Sequence, residues 1–283
     1  MKLKKSFLTI SKKIKLAIYN CEARGEPIIF CHFTGGMGQL WIPVIERIIP
    51  NFNCFAYDAR GHGNSSKPRE SSLYLWDYHL KDLILILMEI KENTKRNEIY
   101  GVGHSFGGAL LSQAVLHTKH LLNWKGIILI EPIIAPQTFD LKKDIMANIA
   151  KRRKGLFDSV DSLQKTLKNK KPYKNWSTEA WQIFEKYGFW KDRLGRIKIK
   201  CTPEIESYQY LHANPPGWFE NLKKLHLPVL LIYGRESELL PLAEYQMMQL
   251  KTSGYLVKLP NIHHFLPQEN PYLASQWILR WFS

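Results

Sequence analysis

Apolar positions along the 283-residue chain fall into two rhythms. Short, nearly continuous apolar runs at 13–20, 27–32, 52–58, 98–103, 126–131, 227–234 and 255–259 read as strands, since a strand buried on both faces has no polar side to show. Between them, apolar residues recur every three or four positions. Trp41, Val44, Ile45, Ile48 and Ile49 share one face of a helix predicted over 38–49, and Leu80, Leu83, Ile84, Leu87 and Ile90 do the same over 76–91. Further helices are expected over 105–118, 241–250 and 270–282. Strands alternating with helices predict an α/β fold, with a mostly parallel central sheet and helices on both faces.

The rhythm breaks after Pro132. From there to about Trp218 the strands stop, and amphipathic helices are expected over 141–154, 159–169 and 177–186. This divides the chain into a core, 1–132 and 219–283, and an inserted helical cap, 133–218. The insertion is also strongly basic. Residues 133–219 hold 17 Lys and Arg against 9 Asp and Glu, a large part of the net charge of +15 for the whole chain. Such a charge implies weak attraction to anionic surfaces. No nucleic-acid motif accompanies it, so no specific nucleic-acid partner is expected. Aromatic residues in the insertion (Phe157, Tyr173, Trp176, Trp181, Phe184 among them) are expected to form its own core, with some left to line an apolar pocket.

No apolar run is long enough to cross a bilayer, and the basic start lacks the apolar stretch of a secretory signal. A cytoplasmic protein is expected. Cys21, Cys31, Cys54 and Cys201 make no Cys-x-x-Cys pair, and Cys31 and Cys54 sit in strand patterns, so reduced core residues are expected. No metal cluster, phosphate loop or dinucleotide fingerprint is present in the sequence, and no cofactor is expected.

The most informative segment is Ile99-Tyr100-Gly101-Val102-Gly103-His104-Ser105-Phe106-Gly107-Gly108. A strand runs into Gly-x-Ser-x-Gly and on into a helix with small residues, Ala109 and Ala114. That is the setting of a nucleophile elbow, in which a tight turn presents a strained serine outward. Three other segments complete a resemblance. Ile28 to Gly36 (containing His32-Phe33-Thr34) is similar to a strand with an oxyanion loop. Asp58-Ala59-Arg60-Gly61-His62-Gly63-Asn64-Ser65 is similar to an Asp-x-Arg-Gly-His-Gly-x-Ser turn. Asn261 to Pro267 is similar to a C-terminal histidine loop. In this order the motifs resemble the α/β-hydrolase fold family, in its capped serine-hydrolase form.

The resemblance implies an esterase-type enzyme that needs no cofactor and acts on a small-molecule ester. Ser105 would be the nucleophile and His264 its base, with His263 the neighbouring alternative. The Phe106 N–H would supply one oxyanion donor and Thr34 the second, with Phe33 an alternative. His32 and His62 are expected to brace loops and His104 to pack or hydrogen-bond, while Asp58 is expected to pair with Arg60. The acid is an open choice. The usual acid loop reads Gly234-Arg235-Glu236-Ser237-Glu238, with Ser237 in the expected Asp position. Glu131 ends a buried strand, where a carboxylate is costly unless paired. Glu131 is therefore preferred, with Glu238 and Glu236 as alternatives. Hydrolysis of a thioester, lactone or carbon–carbon bond is an alternative activity. A degenerate, ligand-binding homologue is an alternative from another class.

Overall fold

The structure, a computed structural model, describes residues 3–49 and 51–283; Met1, Lys2 and Pro50 lie outside the described residues. Its core is an eight-stranded sheet. Strands β1 (Lys4–Thr9), β2 (Lys15–Asn20), β3 (Glu26–Cys31), β4 (Phe52–Tyr57), β5 (Glu98–His104) and β6 (Asn123–Ile130) precede the insertion. Helices α1 (Ile42–Ile48), α2 (Trp76–Thr94) and α3 (Phe106–Thr118) are interleaved with them.

The insertion carries α4 (Lys143–Lys151), β7 (Leu156–Phe157), α5 (Val160–Leu167), α6 (Thr178–Tyr187), β8 (Phe189–Lys191), β9 (Ile197–Ile199) and α7 (Pro203–Leu211), and α8 (Trp218–Asn221) spans its end. The chain then returns to the core through β10 (Val229–Gly234), α9 (Pro241–Leu250), β11 (Gly254–Leu259), α10 (Leu266–Glu269) and α11 (Pro271–Phe282).

The large sheet has the order β1-β2-β4-β3-β5-β6-β10-β11. β1 and β2, and β2 and β4, pair antiparallel; the remaining neighbours are parallel. Alternate side chains of each inner strand enter opposite layers. Ile29, Ile127, Leu129 and Leu231 face a layer formed with α2, α3 and α9. Ile28, Phe30, Val102, Ile128 and Ile232 face one formed with α1 and α11. This double burial is why these strands read as unbroken apolar runs.

Three expectations need correction. β1 has no counterpart among the predicted strands. Five of its six residues are exposed, so it follows from backbone pairing to β2 at the sheet edge and not from burial. Nor do strands stop in the insertion, because β7, β9 and β8 form a small antiparallel sheet. At two or three residues each, they are too short to show an alternation. Finally, Asp58 does not pair with Arg60. The fully buried Asp58 carboxylate accepts from Tyr19 Oη (2.5 Å), Gly38 N (2.7 Å) and Asn64 N (2.6 Å). Arg60 instead forms a two-pronged pair with Asp82 on α2, at 3.0 and 2.8 Å, and both side chains are buried.

Removing one partner of such a pair leaves a buried charge uncompensated. Asp82→Ala is expected to lower stability by about 3–5 kcal/mol, read as a reduced midpoint in urea unfolding. A change within 0.5 kcal/mol, the range of an ordinary surface substitution, would contradict a structural role for the pair.

Candidate active site

Four parallel strands end at the same edge of the sheet, and each delivers part of a polar cluster. A carboxyl edge is where open α/β sheets form their crevices. β5 ends at His104, and Ser105 follows with φ 56° and ψ −119°, a conformation outside the ordinary regions for a residue with a Cβ. The turn closes this tightly because two glycines flank it. A Cβ on Gly103 would lie 2.6 Å from the Gly107 oxygen, and one on Gly107 would lie 2.4 Å from the Cys31 oxygen. The Ser105 N–H donates to Ile130 O (2.8 Å), tying the turn to the end of β6.

β6 ends at Ile130, and Glu131 also has a positive φ, 44°. Glu131 is 1% exposed, and three donors converge on its carboxylate. Gly234 N donates to Oε1 (2.8 Å), while Ser237 Oγ (2.5 Å) and His264 Nδ1 (2.7 Å) donate to Oε2. The other ring nitrogen of His264, Nε2, lies 3.1 Å from Ser105 Oγ. With Nδ1–H committed to Glu131, the Nε2 lone pair faces the serine hydroxyl. The three side chains form one linear relay, although they come from three separate loops.

The alternative carboxylates lie elsewhere. Glu238 is exposed and pairs with Lys171 of the insertion. Glu236 is exposed on the same loop. His263 does not take part in the relay; its Nδ1 lies 2.9 Å from Asn175 Nδ2. Ser237, in the position expected for an acid, serves as a donor to Glu131.

The histidine loop is held by His104 and by Glu269, a residue with no motif of its own in the sequence. Glu269 on α10 accepts from the His263 N–H (3.0 Å) and the Phe265 N–H (3.0 Å). His104 Nε2–H donates to His264 O at 2.8 Å. Burial, reinforced by the neighbouring His264, pushes the His104 imidazole well below its usual range and keeps it neutral. A carboxylate reaching back over a turn has a faint signal in sequence, as in a capping box. A side chain bonded to a backbone carbonyl has none.

The loop after β3 lies against the start of α3. His32 is buried, which lowers its pKa and keeps it neutral. Its Nδ1–H donates to Phe33 O (2.7 Å), and its Nε2 accepts from Ala59 N (3.0 Å). His62 is likewise neutral through burial, and its Nε2 accepts from Gly35 N at 3.0 Å. Among the described residues, the N–H groups of Phe33, Thr34 and Phe106 have no hydrogen-bond acceptor. A developing oxyanion requires N–H donors that are not already paired. Among the described residues, no cluster of three or more His, Cys, Asp or Glu side chains is arranged to hold a metal ion, and no helix is long and apolar enough to cross a membrane.

Over its full length the chain superposes on solved α/β-hydrolases. It matches E-2-(acetamidomethylene)succinate hydrolase with a TM-score of 0.80 at 18% identity, covering 98% of both chains. It matches the thioesterase domain from the curacin biosynthetic pathway with a TM-score of 0.81 at 19% identity, covering 99% of this chain and all of that one. The chain has the α/β-hydrolase fold. The family model described as serine aminopeptidase, S33, matches residues 49–186, just under half of the chain.

Among curated relatives, protein phosphatase methylesterase 1 of Candida albicans is 30% identical over 116 residues, which is 40% of this chain and 31% of that protein. The chain thus matches about a third of the length of that methylesterase. Proline iminopeptidase of Saccharolobus solfataricus is 27% identical over 242 residues, 78% of this chain and 73% of its own length. The names span ester, thioester and peptide-bond hydrolysis. The shared element is the α/β-hydrolase framework.

Proposed function

We propose that this α/β-hydrolase is a serine hydrolase that cleaves a carboxylic ester through an acyl-Ser105 intermediate. The observation that carries the reading is the relay from Ser105 Oγ through His264 to Glu131, at 3.1 and 2.7 Å. A free alcohol is a weak nucleophile near neutral pH. It needs a base within hydrogen-bond reach and an acid that fixes the base's tautomer. His264 Nε2 takes the Ser105 proton as the hydroxyl attacks the ester carbonyl, and Glu131 stabilises the resulting imidazolium. The developing oxyanion is received by the N–H groups of Phe106 and Thr34. His264 returns the proton to the leaving alcohol. Water then attacks the acyl-enzyme, with the same histidine as base.

In this reading the 133–218 insertion is a cap. It shares one apolar cluster with the core, in which Phe33, Met37 and Leu40 meet Phe157, Trp176, Trp181 and Phe184, with Phe265 packed against them. Such a cover shields the acyl group from bulk water and limits substrate size. A cover that admits substrate has to open. Amide hydrogen exchange over 141–200 is expected to be faster than over 126–130 of β6. Equal protection in the two segments would argue against a mobile cover.

The bond specificity is tested with the purified protein on a panel of esters of graded acyl length, thioesters and lactones. Hydrolysis of carboxylic esters with the highest kcat/KM is the expected result. A preference for thioesters or lactones would reassign the bond. Saturable binding of the same compounds without turnover would identify a binding homologue.

A further inference from the structure

Helix α4 turns its larger apolar residues outward. Residues three and four apart share one face of a helix. Ala147 and Ala150, each 3% exposed, are the buried face of α4, which packs along α7. Ile145, Met146 and Ile149 form another face and are 57%, 38% and 59% exposed. Two other helices of the insertion do the reverse. α5 buries Leu163 and Leu167, and α6 buries Ala180, Trp181 and Phe184. An amphipathic helix of a folded domain ordinarily turns its apolar stripe to the core. α4 buries two alanines and offers three large apolar side chains to water.

Basic residues bracket this stripe. Lys142 and Lys143 stand at its start, and Lys151, Arg152 and Lys154 at its end, against Asp140 and Asp144 in the same stretch. Among the described residues, none of these five bases is ion-paired with a carboxylate. Lys143 Nζ donates to the Ala213 carbonyl at 3.2 Å, and Lys154 Nζ lies over the Phe157 ring, so neither meets an acid there. Lys142, Lys151 and Arg152 are exposed. Arg153 is not part of this set, because it pairs with Glu206.

Apolar side chains bracketed by unpaired cations suit a surface that is apolar within and anionic at its boundary. The interface of a bilayer with anionic headgroups is such a surface. A helix that docks in a protein groove uses anchors from i to i+7. Here the stripe ends at Ile149, and the position seven after Ile145 is Arg152. A second copy of the chain, meeting this face through a two-fold axis, would bring the same cations against these ones. The net charge of +15 draws the whole molecule towards an anionic surface.

We propose that α4 is a membrane-docking face. Ile145, Met146 and Ile149 seat at the acyl-chain boundary of an anionic bilayer, while Lys142, Lys151 and Arg152 meet its phosphate headgroups. The docking does not depend on the chemistry at Ser105.

Sedimentation of the full chain with lipid vesicles tests this. Vesicles of phosphatidylcholine and phosphatidylglycerol in equal parts are expected to carry the protein down. Vesicles of phosphatidylcholine alone should leave most of it in solution, and added salt should weaken binding by screening the charges. Ile145→Glu/Ile149→Glu is expected to weaken binding at least about tenfold, since burying one isoleucine is worth about that factor. Lys151→Gln/Arg152→Gln should weaken it by about the same factor. All four side chains are exposed, so the fold should persist, as an unchanged unfolding midpoint would verify. Met248→Glu/Tyr272→Glu makes the same change in charge at exposed residues of α9 and α11, and should bind much as the wild type does. Undiminished binding by Ile145→Glu/Ile149→Glu, or an equal loss in the Met248 and Tyr272 pair, would overturn the proposal, because net charge alone would then account for the binding. So would a failure to sediment with anionic vesicles. Self-association abolished by Ile145→Glu/Ile149→Glu, without vesicle binding, would assign the face to a second copy instead.

Discussion

Ser105→Ala is expected to lose at least about three orders of magnitude in kcat, as removal of a triad nucleophile does in serine hydrolases. The proposed route passes the acyl group of every substrate molecule through an acyl-Ser105 ester, and alanine has no oxygen with which to form it. What remains after the substitution is the binding and oxyanion contribution, which still accelerates the reaction over water. The backbone supports the same reading. Ser105 sits at φ 56° and ψ −119°, in a turn packed so closely that Gly103 and Gly107 admit no Cβ. Strain of this kind costs about 1–3 kcal/mol and persists where the surroundings enforce it. The assay needs protein purified free of host esterases, with folding verified by its circular dichroism spectrum. Undiminished turnover by a folded Ser105→Ala protein would refute the proposed nucleophile.

Glu131→Gln is expected to cost on the order of 10⁴ in kcat while preserving the fold. The carboxylate has two tasks in the proposed mechanism. It holds His264 in the tautomer that presents Nε2 to Ser105, and it stabilises the imidazolium formed as the serine attacks. A glutamine retains one acceptor oxygen but brings an N–H2 group to a point where Gly234, Ser237 and His264 all donate. Glu238→Gln and Glu236→Gln should each cost far less, since neither side chain reaches His264 and Glu238 is bound to Lys171. Ser237→Ala removes one donor to the acid and should fall in between, at roughly tenfold, the value of one modest hydrogen bond to a charged group. A small loss in Glu131→Gln together with a large one in Glu238→Gln would reassign the acid.

The core strands were legible in the sequence because burial on both faces leaves them no polar positions. Edge strand β1 was not, because its exposed side chains carry no pattern and its partner is backbone. The three strands of the insertion escaped for a different reason, being shorter than one full alternation.

At the candidate site, the strand-to-helix setting of Gly-x-Ser-x-Gly singled out Ser105, and the loop before α10 singled out His264. Glu131 stood out on physical grounds, since a charge ending an apolar strand demands a partner and Ser237 left the usual acid position empty. The structure puts Glu131 and His264 in contact at 2.7 Å. What sequence could not convey were bonds that run through the backbone, such as His104 to the His264 carbonyl and Glu269 to the N–H groups of His263 and Phe265. Proximity in sequence suggests Arg60 as the partner of Asp58. Folding instead brings Tyr19, Gly38 and Asn64 to Asp58 and carries Arg60 to Asp82 on α2.

The central claim is that Ser105 is a nucleophile activated by His264. It is tested most directly by treating the protein with a fluorophosphonate and locating the adduct by intact mass and peptide mapping. The account predicts a single phosphonyl adduct on the peptide containing Ser105, formed rapidly in the wild type. It predicts much slower labelling in His264→Ala and none in Ser105→Ala. An adduct on another residue, or labelling of Ser105 at the same rate without His264, would contradict it.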